Sequence, residues 1–451
     1  MEKKRSSFTG GIGFVLAAAG SAVGLGNMWR FPYLAAQYGG GIFILVYIVL
    51  ALTFGFTLLT TEIAIGRRTK KSPIEAYGKI NARFGFLGYL AALVPIIILP
   101  YYSVIGGWLI KYMAVYVQGM DKNAAQDSYF TAFVGGTGQP LAFFVIFLLL
   151  TAVIVASGVE KGIEKLSKIL MPMLVVLTMG VSVYVLLLPG AIAGVKYYLL
   201  PDFSKFSFKT VCAAMGQLFY SMSIAMGIMI TYGSYTRDDI SLTKSVNQIE
   251  FFDTLVALLA GLMIIPAIYV FSGEEGLTAS GAGLMFVSLP KIFAQMAGGK
   301  IIGLVFFILV FFAALTSSVS IMEAIVSSFM DKFHLSRQMS CLITVFISLL
   351  LGIPSSLGFG IWSGVTVLGM DFLTFFDYLS NSVLMPIVAL GTCILIGWVA
   401  GAATVTEEAT RNGEKFGRKA IYNVMIKYIA PVLLLIILIF YTLAQFGVIS
   451  L

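Results

Sequence analysis

The stretch Gly20-Ser21-Ala22-Val23-Gly24-Leu25-Gly26-Asn27-Met28-Trp29-Arg30-Phe31-Pro32 interrupts an apolar run that begins near residue 11. As a continuous helix it is poor. Gly20, Gly24 and Gly26 fall within seven residues, and each costs about 1 kcal/mol relative to alanine in a helix interior. Asn27, Arg30 and Pro32 then follow. At membrane depth, non-helical backbone survives only where it is buried in protein or lines a wet cavity. A tight helix-packing seam would also explain the glycines, but not Asn27 and Arg30 beside them. A comparable interruption, Ser221-Met222-Ser223-Ile224-Ala225-Met226-Gly227, lies in the sixth apolar segment. Two interrupted segments, each the first of five, point to a transporter with inverted repeats.

The surroundings fit a membrane setting. Of 451 residues, 59% are hydrophobic and 11% charged, against roughly 25% charged in a soluble domain. Apolar segments near 11–36, 41–66, 86–118, 141–157, 166–187, 209–235, 245–271, 300–330, 339–353, 374–398 and 424–446 predict about eleven helical spans. The ninth is short. The net charge of +8 comes from alternate connectors, which hold 21 of the 29 Lys and Arg residues. That asymmetry places the N-terminus on the cytoplasmic side and, with an odd number of spans, the C-terminus outside. The basic balance is therefore topology rather than nucleic-acid binding. Lys3-Lys4-Arg5 before an apolar run resembles a signal peptide, but Arg30 interrupts the run, so a retained first helix is expected.

Catalytic chemistry finds no support. Cys212, Cys341 and Cys393 have no paired spacing, and His334 is the single histidine, which leaves no histidine- or cysteine-based metal site and no nucleophilic triad. No phosphate-binding loop of the GxxxxGK[ST] type is present either. An enzyme is not expected.

Broken helices do supply chemistry. Half-helix N-termini offer N–H groups to a carboxylate, while unwound carbonyls and half-helix C-termini suit a hard cation such as Na⁺. Thr316, Ser317 and Ser318 in the eighth segment could add hydroxyl oxygens or simply bond back to their own helix. Arg30, Glu62, Asp253 and Glu323 are ionisable groups inside spans and hence functional candidates. Asp253 calls for a cation. Glu62 reads better as a structural partner for loose backbone N–H groups, and Glu323 as structural. Asp377, near the outer mouth, is a partner for Arg30.

Taken together, these motifs resemble the neurotransmitter:sodium symporters, most closely the bacterial amino-acid members. The resemblance rests on Ala22 to Asn27, Trp29-Arg30-Phe31-Pro32, Gly39-Gly40-Gly41, Glu62 with Gly66-Arg67, Tyr101-Tyr102, Gln217 to Gly227, and Leu315-Thr316-Ser317-Ser318, in family order. It implies an all-α integral membrane protein of the leucine-transporter type, with broken first and sixth helices. Two five-helix inverted repeats would span 1–187 and 188–398, and 399–451 would hold a cytoplasmic connector and the eleventh helix. It implies sodium-coupled symport of a neutral amino acid across a bacterial inner membrane, and leaves the oligomeric state open. One sodium site would use Ala22, Asn27, Ser221 and Asp253. A second would use Gly20, Val23, Ala313, Thr316 and Ser317. The substrate pocket would comprise Ala22, Gly26, Ile98, Tyr102, Tyr220, Ser223, Met226, Ser317 and Ile321, with Tyr102 on the substrate carboxylate and Tyr220 as lid. Arg30 with Asp377 would gate the outside. Arg5 with Asp331 would gate the inside, helped by Phe8 where relatives often carry Trp.

Three departures from the family pattern matter. Asp253 stands where Asn is frequent. Animal relatives balance charge there with chloride, around the positions of Tyr47, Gln217, Ser221 and Asp253, so a built-in carboxylate should remove that need. Ala225 stands where glycine is usual, which leaves the extent of unwinding in the sixth helix open. Ser21 neighbours the pocket without an assigned role. Gly24, where monoamine carriers have aspartate, implies a substrate bearing its own carboxylate. Ile98, Met226, Ile321 and Tyr220 favour a large hydrophobic or aromatic side chain. The competing reading is a transporter-like amino-acid sensor or channel without coupled transport.

Overall fold

The structure is a computed structural model that describes residues 7–278, 281–445 and 447–448. Span 1 is broken into 1a (Gly11–Ala22) and 1b (Gly26–Gln37), bent by 48°. Continuous helices form span 2 (Gly41–Thr69), span 3 (Ala82–Val117), span 4 (Gly138–Ala156) and span 5 (Val159–Leu186). Span 6 is broken into 6a (Phe208–Ser221) and 6b (Ile228–Tyr235). Then come span 7 (Leu242–Ser272), span 8 (Gly299–Phe333), span 9 (Arg337–Leu357), span 10 (Phe372–Val399) and span 11 (Lys419–Gln445). Among the described residues this makes nine continuous helices long and apolar enough to cross a membrane, and the two broken ones bring the total to the expected eleven. Even span 4, at 19 residues, reaches about 28 Å, close to a hydrocarbon thickness.

Span 9 is longer than its apolar core suggested. The Ser336 side chain accepts the Met339 N–H and caps its start. Arg337 is drawn into the protein by the Glu323 carboxylate at 2.6 Å, so a residue that reads as connector becomes helix.

Outward faces of the outer spans carry Val153, Val176, Phe346, Val432 and Ile439, all exposed. Lipid is the solvent such faces suit. The hydroxyls and carboxylates turn inward: Thr316, Ser317, Ser318, Glu62 and Asp253 are all buried. Packing follows the inverted symmetry. Span 2 packs on both halves of span 6, and span 7 on both halves of span 1. Span 3 contacts span 9, and span 8 contacts span 4. Likewise span 10 lies on span 3 and span 5 on span 8. Span 2 and 6b approach each other closely through small residues. There a side chain on Gly66 would collide with the Ile230 carbonyl, and one on Gly233 with that of Ile63. That small-residue seam locks 6b onto span 2 and leaves the broken segment to be held by other means.

Candidate functional site

The break in span 6 runs through Met222–Gly227. Ser223, Ala225 and Gly227 carry φ of 54°, 62° and 71°. A left-handed conformation costs a non-glycine residue roughly 1–2 kcal/mol, so Ala225 does not keep the helix intact; it unwinds at a cost. Glu62 offsets that cost: its Oε1 accepts the Ala225 N–H at 2.6 Å, and a buried N–H left unpaired would cost about 1–3 kcal/mol. Glu62 thus serves the backbone. Glu323 is likewise structural, holding Arg337 through both oxygens and accepting the Tyr235 hydroxyl at 2.6 Å.

Where the two breaks face each other, a small cavity of about 20 Å³ lies between spans 1, 3, 6 and 8. All nine expected pocket residues line it: Ala22, Gly26, Ile98, Tyr102, Tyr220, Ser223, Met226, Ser317 and Ile321. The cavity is divided chemically. Ile98, Met226 and Ile321 form an apolar wall, while the Tyr102 hydroxyl lies 3.4 Å from the Leu25 N–H and accepts it. The same hydroxyl also neighbours Ser317, so the polar end of the cavity is formed by Tyr102, Ser317 and the Leu25 N–H. A side chain at Gly24 would strike Ser317 Oγ, so an aspartate could not be accommodated here without displacing the eighth span's hydroxyl.

Ser21, Gly24 and Leu25 also line the cavity and were not expected as pocket residues. Ser21 Oγ lies 3.1 Å from Ser223 Oγ, and its carbonyl accepts both Ser223 and Ser317 hydroxyls at 3.1 and 3.0 Å. It fastens the broken ends of spans 1 and 6 and the middle of span 8 to one point. The signal for this was faint: where helix 1a stops decides which way Ser21 faces.

Beside the cavity, Asn27, Ser221 and Asp253 converge. The Asp253 carboxylate accepts Ser221 Oγ at 2.6 Å, Asn27 Nδ2 at 2.8 Å and the Tyr47 hydroxyl at 3.1 Å. Asn27 Nδ2 also reaches the Asp253 carbonyl at 3.0 Å, which leaves Asn27 Oδ1 on the side of Gly24 and Ser221. All four side chains are buried. Gln217 donates to the Gly26 carbonyl at 2.8 Å. Anionic and amide oxygens from spans 1, 6 and 7 are a donor set for a hard cation.

The second set is assembled less completely. Gly20 packs against Thr316, and Ser317 bonds across to span 1. Thr316 Oγ1 itself bonds back to the Phe312 and Ala313 carbonyls at 3.0 and 3.1 Å. The plain helical habit and the ligand role thus compete for this hydroxyl. Val23 and Ala313 are fully buried at the same junction.

Arg30 and Asp377, expected to gate the outside, do not form an ion pair. The Arg30 guanidinium lies over the Tyr220 ring, 5.6 Å from its centroid. Asp377 instead accepts from Asn381 at 2.6 Å and Tyr101 at 3.2 Å. Tyr220, rather than a direct salt bridge, roofs the cavity. On the opposite side Asp331 accepts the Ser72 N–H at 2.7 Å, and Arg5 lies outside the described residues. Phe8 is buried there, its N–H on the Tyr235 carbonyl at 3.1 Å and its ring edge-on to Tyr232. Glu164 at the start of span 5 holds the Thr9 N–H at 2.9 Å and Lys168 at 2.7 Å, a further tie on the N-terminal segment with no distinctive sequence motif.

A membrane bundle with two facing broken helices and an oxygen-rich pocket at their junction is the architecture of a secondary transporter. The chain belongs to the sodium:neurotransmitter symporter family, which it matches over residues 5–132 and 130–448. It is a sodium-dependent transporter and not an enzyme. A Bacillus subtilis protein named sodium-dependent transporter YhdH is 34% identical, with 97% of each chain covered. A Haemophilus influenzae sodium-dependent transporter is 32% identical over 97% of this chain and 98% of its own. The human sodium- and chloride-dependent taurine transporter is 27% identical over 88% of this chain and 72% of its own. Among solved structures, MhsT in complex with L-phenylalanine superposes with a TM-score of 0.88 at 35% identity, covering 96% of this chain and 99% of that one.

Proposed function

We propose that the chain takes up a neutral, large hydrophobic or aromatic amino acid together with Na⁺ by alternating access, using two sodium sites and no chloride. The reading is carried by the cavity between the two breaks, with the Tyr102 hydroxyl at one end and an apolar wall of Ile98, Met226 and Ile321. It is supported by MhsT, a structure similar at 35% identity that holds L-phenylalanine. The repeats are assigned to 1–187 and 188–398. The membrane is a bacterial inner membrane, with the N-terminus cytoplasmic and the C-terminus outside, as the basic connectors favour. Uptake of a panel of labelled amino acids into proteoliposomes, with and without an inward Na⁺ gradient, tests it. Accumulation of hydrophobic amino acids only with the gradient is expected. Binding without accumulation would favour the sensor reading.

Chloride independence rests on Asp253, whose carboxylate accepts the hydroxyls of Tyr47 and Ser221. Uptake is expected to persist when gluconate replaces chloride, and its loss would refute the reading.

The double variant Thr316→Ala with Ser317→Ala removes two hard oxygens facing span 1. Contacts of a dipole with a full charge are worth about 1.5–3 kcal/mol each, so the Na⁺ concentration for half-maximal uptake should rise roughly tenfold or more. Gel-filtration behaviour should stay that of the parent. An unchanged sodium dependence would dissolve the second site.

A further inference from the structure

We propose that a groove between spans 2 and 7, closed at one end by Arg418 just ahead of span 11, on the side where span 7 begins, binds one anionic glycerophospholipid of the adjoining leaflet. An acyl chain lies in the groove and the phosphate sits at its basic mouth. The assignment of that leaflet as cytoplasmic rests on the orientation proposed above; the site itself does not.

The groove measures about 250 Å³, room for part of an acyl chain. Its walls are Ile48, Ala51 and Leu52 of span 2 and Phe251 and Thr254 of span 7. Leu52 and Phe251 are 49% and 61% exposed, on helix surfaces that a bilayer covers. The groove follows from an irregularity in span 2, which loosens into wide π-type turns at Ala51–Gly55. Such bulges displace a helix face locally and are frequent at functional sites. Here small Ala51 forms the floor.

The mouth is built rather than open. Arg418 lies 3.5 Å over the Phe56 ring, donates to the Leu52 carbonyl at 3.0 Å, and pairs with Glu250 at 2.7 Å. Asn247 Oδ1 accepts from the same Nη2 that pairs with Glu250. Glu250 cancels the charge of Arg418, so the surplus comes from other residues. Lys415 and Lys419 flank Arg418, and Lys244 precedes Asn247 by one helical turn; all three are exposed. Against them stands Glu414, whose carboxylate is engaged by the Ser241 hydroxyl at 2.7 Å. An apolar slot within the membrane that ends under a cationic rim matches the two ends of an anionic lipid. A soluble protein could not reach the slot, and a zwitterionic lipid would gain nothing from the rim. The site also bears on transport geometry: Thr254 lines the groove, and Asp253, next in sequence, meets Ser221 of span 6 instead.

The purified full-length protein, delipidated in detergent, is titrated with palmitoyl-oleoyl-phosphatidylglycerol or the matching phosphatidylcholine, and retained lipid is counted by native mass spectrometry. One phosphatidylglycerol should be held with roughly tenfold preference or more. Ala51→Phe, which fills the slot, should lose that lipid. Lys244→Gln with Lys415→Gln and Lys419→Gln, all at exposed positions, should bring the two lipids to within about twofold of each other. The triple variant keeps the test decisive if Ala51→Phe fails to fold. Equal retention of both lipids by the parent, or an undiminished preference in the triple variant, overturns the proposal. So does a well-folded Ala51→Phe that keeps the lipid. Displacement by inorganic phosphate alone, with no lipid retained, would overturn it in favour of a soluble anion. The readout is independent of uptake, so failure here leaves the transport reading standing.

Discussion

Asp253→Asn should raise the Na⁺ concentration for half-maximal uptake on the order of a hundredfold, the largest effect expected of any conservative change. Asp253 is fully buried, and its carboxylate gathers Asn27, Ser221 and Tyr47 within 3.1 Å. A cation placed among these groups would lie within about 4 Å of the negative charge, worth roughly 4 kcal/mol at an effective dielectric constant near 20. The amide retains an oxygen ligand and a dipole, so part of that interaction survives and about 2–3 kcal/mol is lost. The fold should tolerate the change, because the hydroxyls of Ser221 and Tyr47 can rotate to receive the new N–H groups. Repeating the titration in chloride and in gluconate separates charge from geometry. If charge is what matters, chloride should restore part of the sodium affinity in the variant and do nothing in the parent. A parental sodium affinity in Asp253→Asn would remove Asp253 from the cation site.

Tyr102→Phe should weaken substrate binding about ten- to hundredfold while leaving the protein folded. The hydroxyl is buried at the polar end of the cavity, with one lone pair turned to the Leu25 N–H at the long distance of 3.4 Å. Little stability depends on so weak a contact. A substrate carboxylate, however, would take the phenolic hydrogen in a charge-assisted bond worth roughly 1.5–3 kcal/mol, which sets the factor. The phenyl ring preserves the wall, so the effect should be in affinity rather than in the selectivity among amino-acid side chains. Binding of a labelled amino acid to detergent-purified protein, alongside a melting curve, measures both. Equal affinity in parent and variant would show that the carboxylate is held elsewhere.

The sequence by itself determined the class of protein, the number of spans and where two of them break. Glycines beside Asn27 and Arg30 leave a helix no economical way to continue in lipid, and long apolar segments separated by basic connectors have few other solutions. The family resemblance then named the nine pocket residues that the folded chain brings around one cavity. Tertiary structure decided the rest. Ala225 unwinds although alanine resists a positive φ, because Glu62, from a span 163 residues away, accepts its N–H. Arg30 and Asp377 form no direct pair: Tyr220 takes the cation, and Asn381 and Tyr101 take the carboxylate. Ser21 joins the pocket only because helix 1a ends one residue later, at Ala22. In each case the deciding partner is distant in the chain, and which of several available polar groups a side chain meets depends on angles and offsets between helices. A pattern of apolar and polar residues specifies which faces are buried; it does not specify which buried group pairs with which.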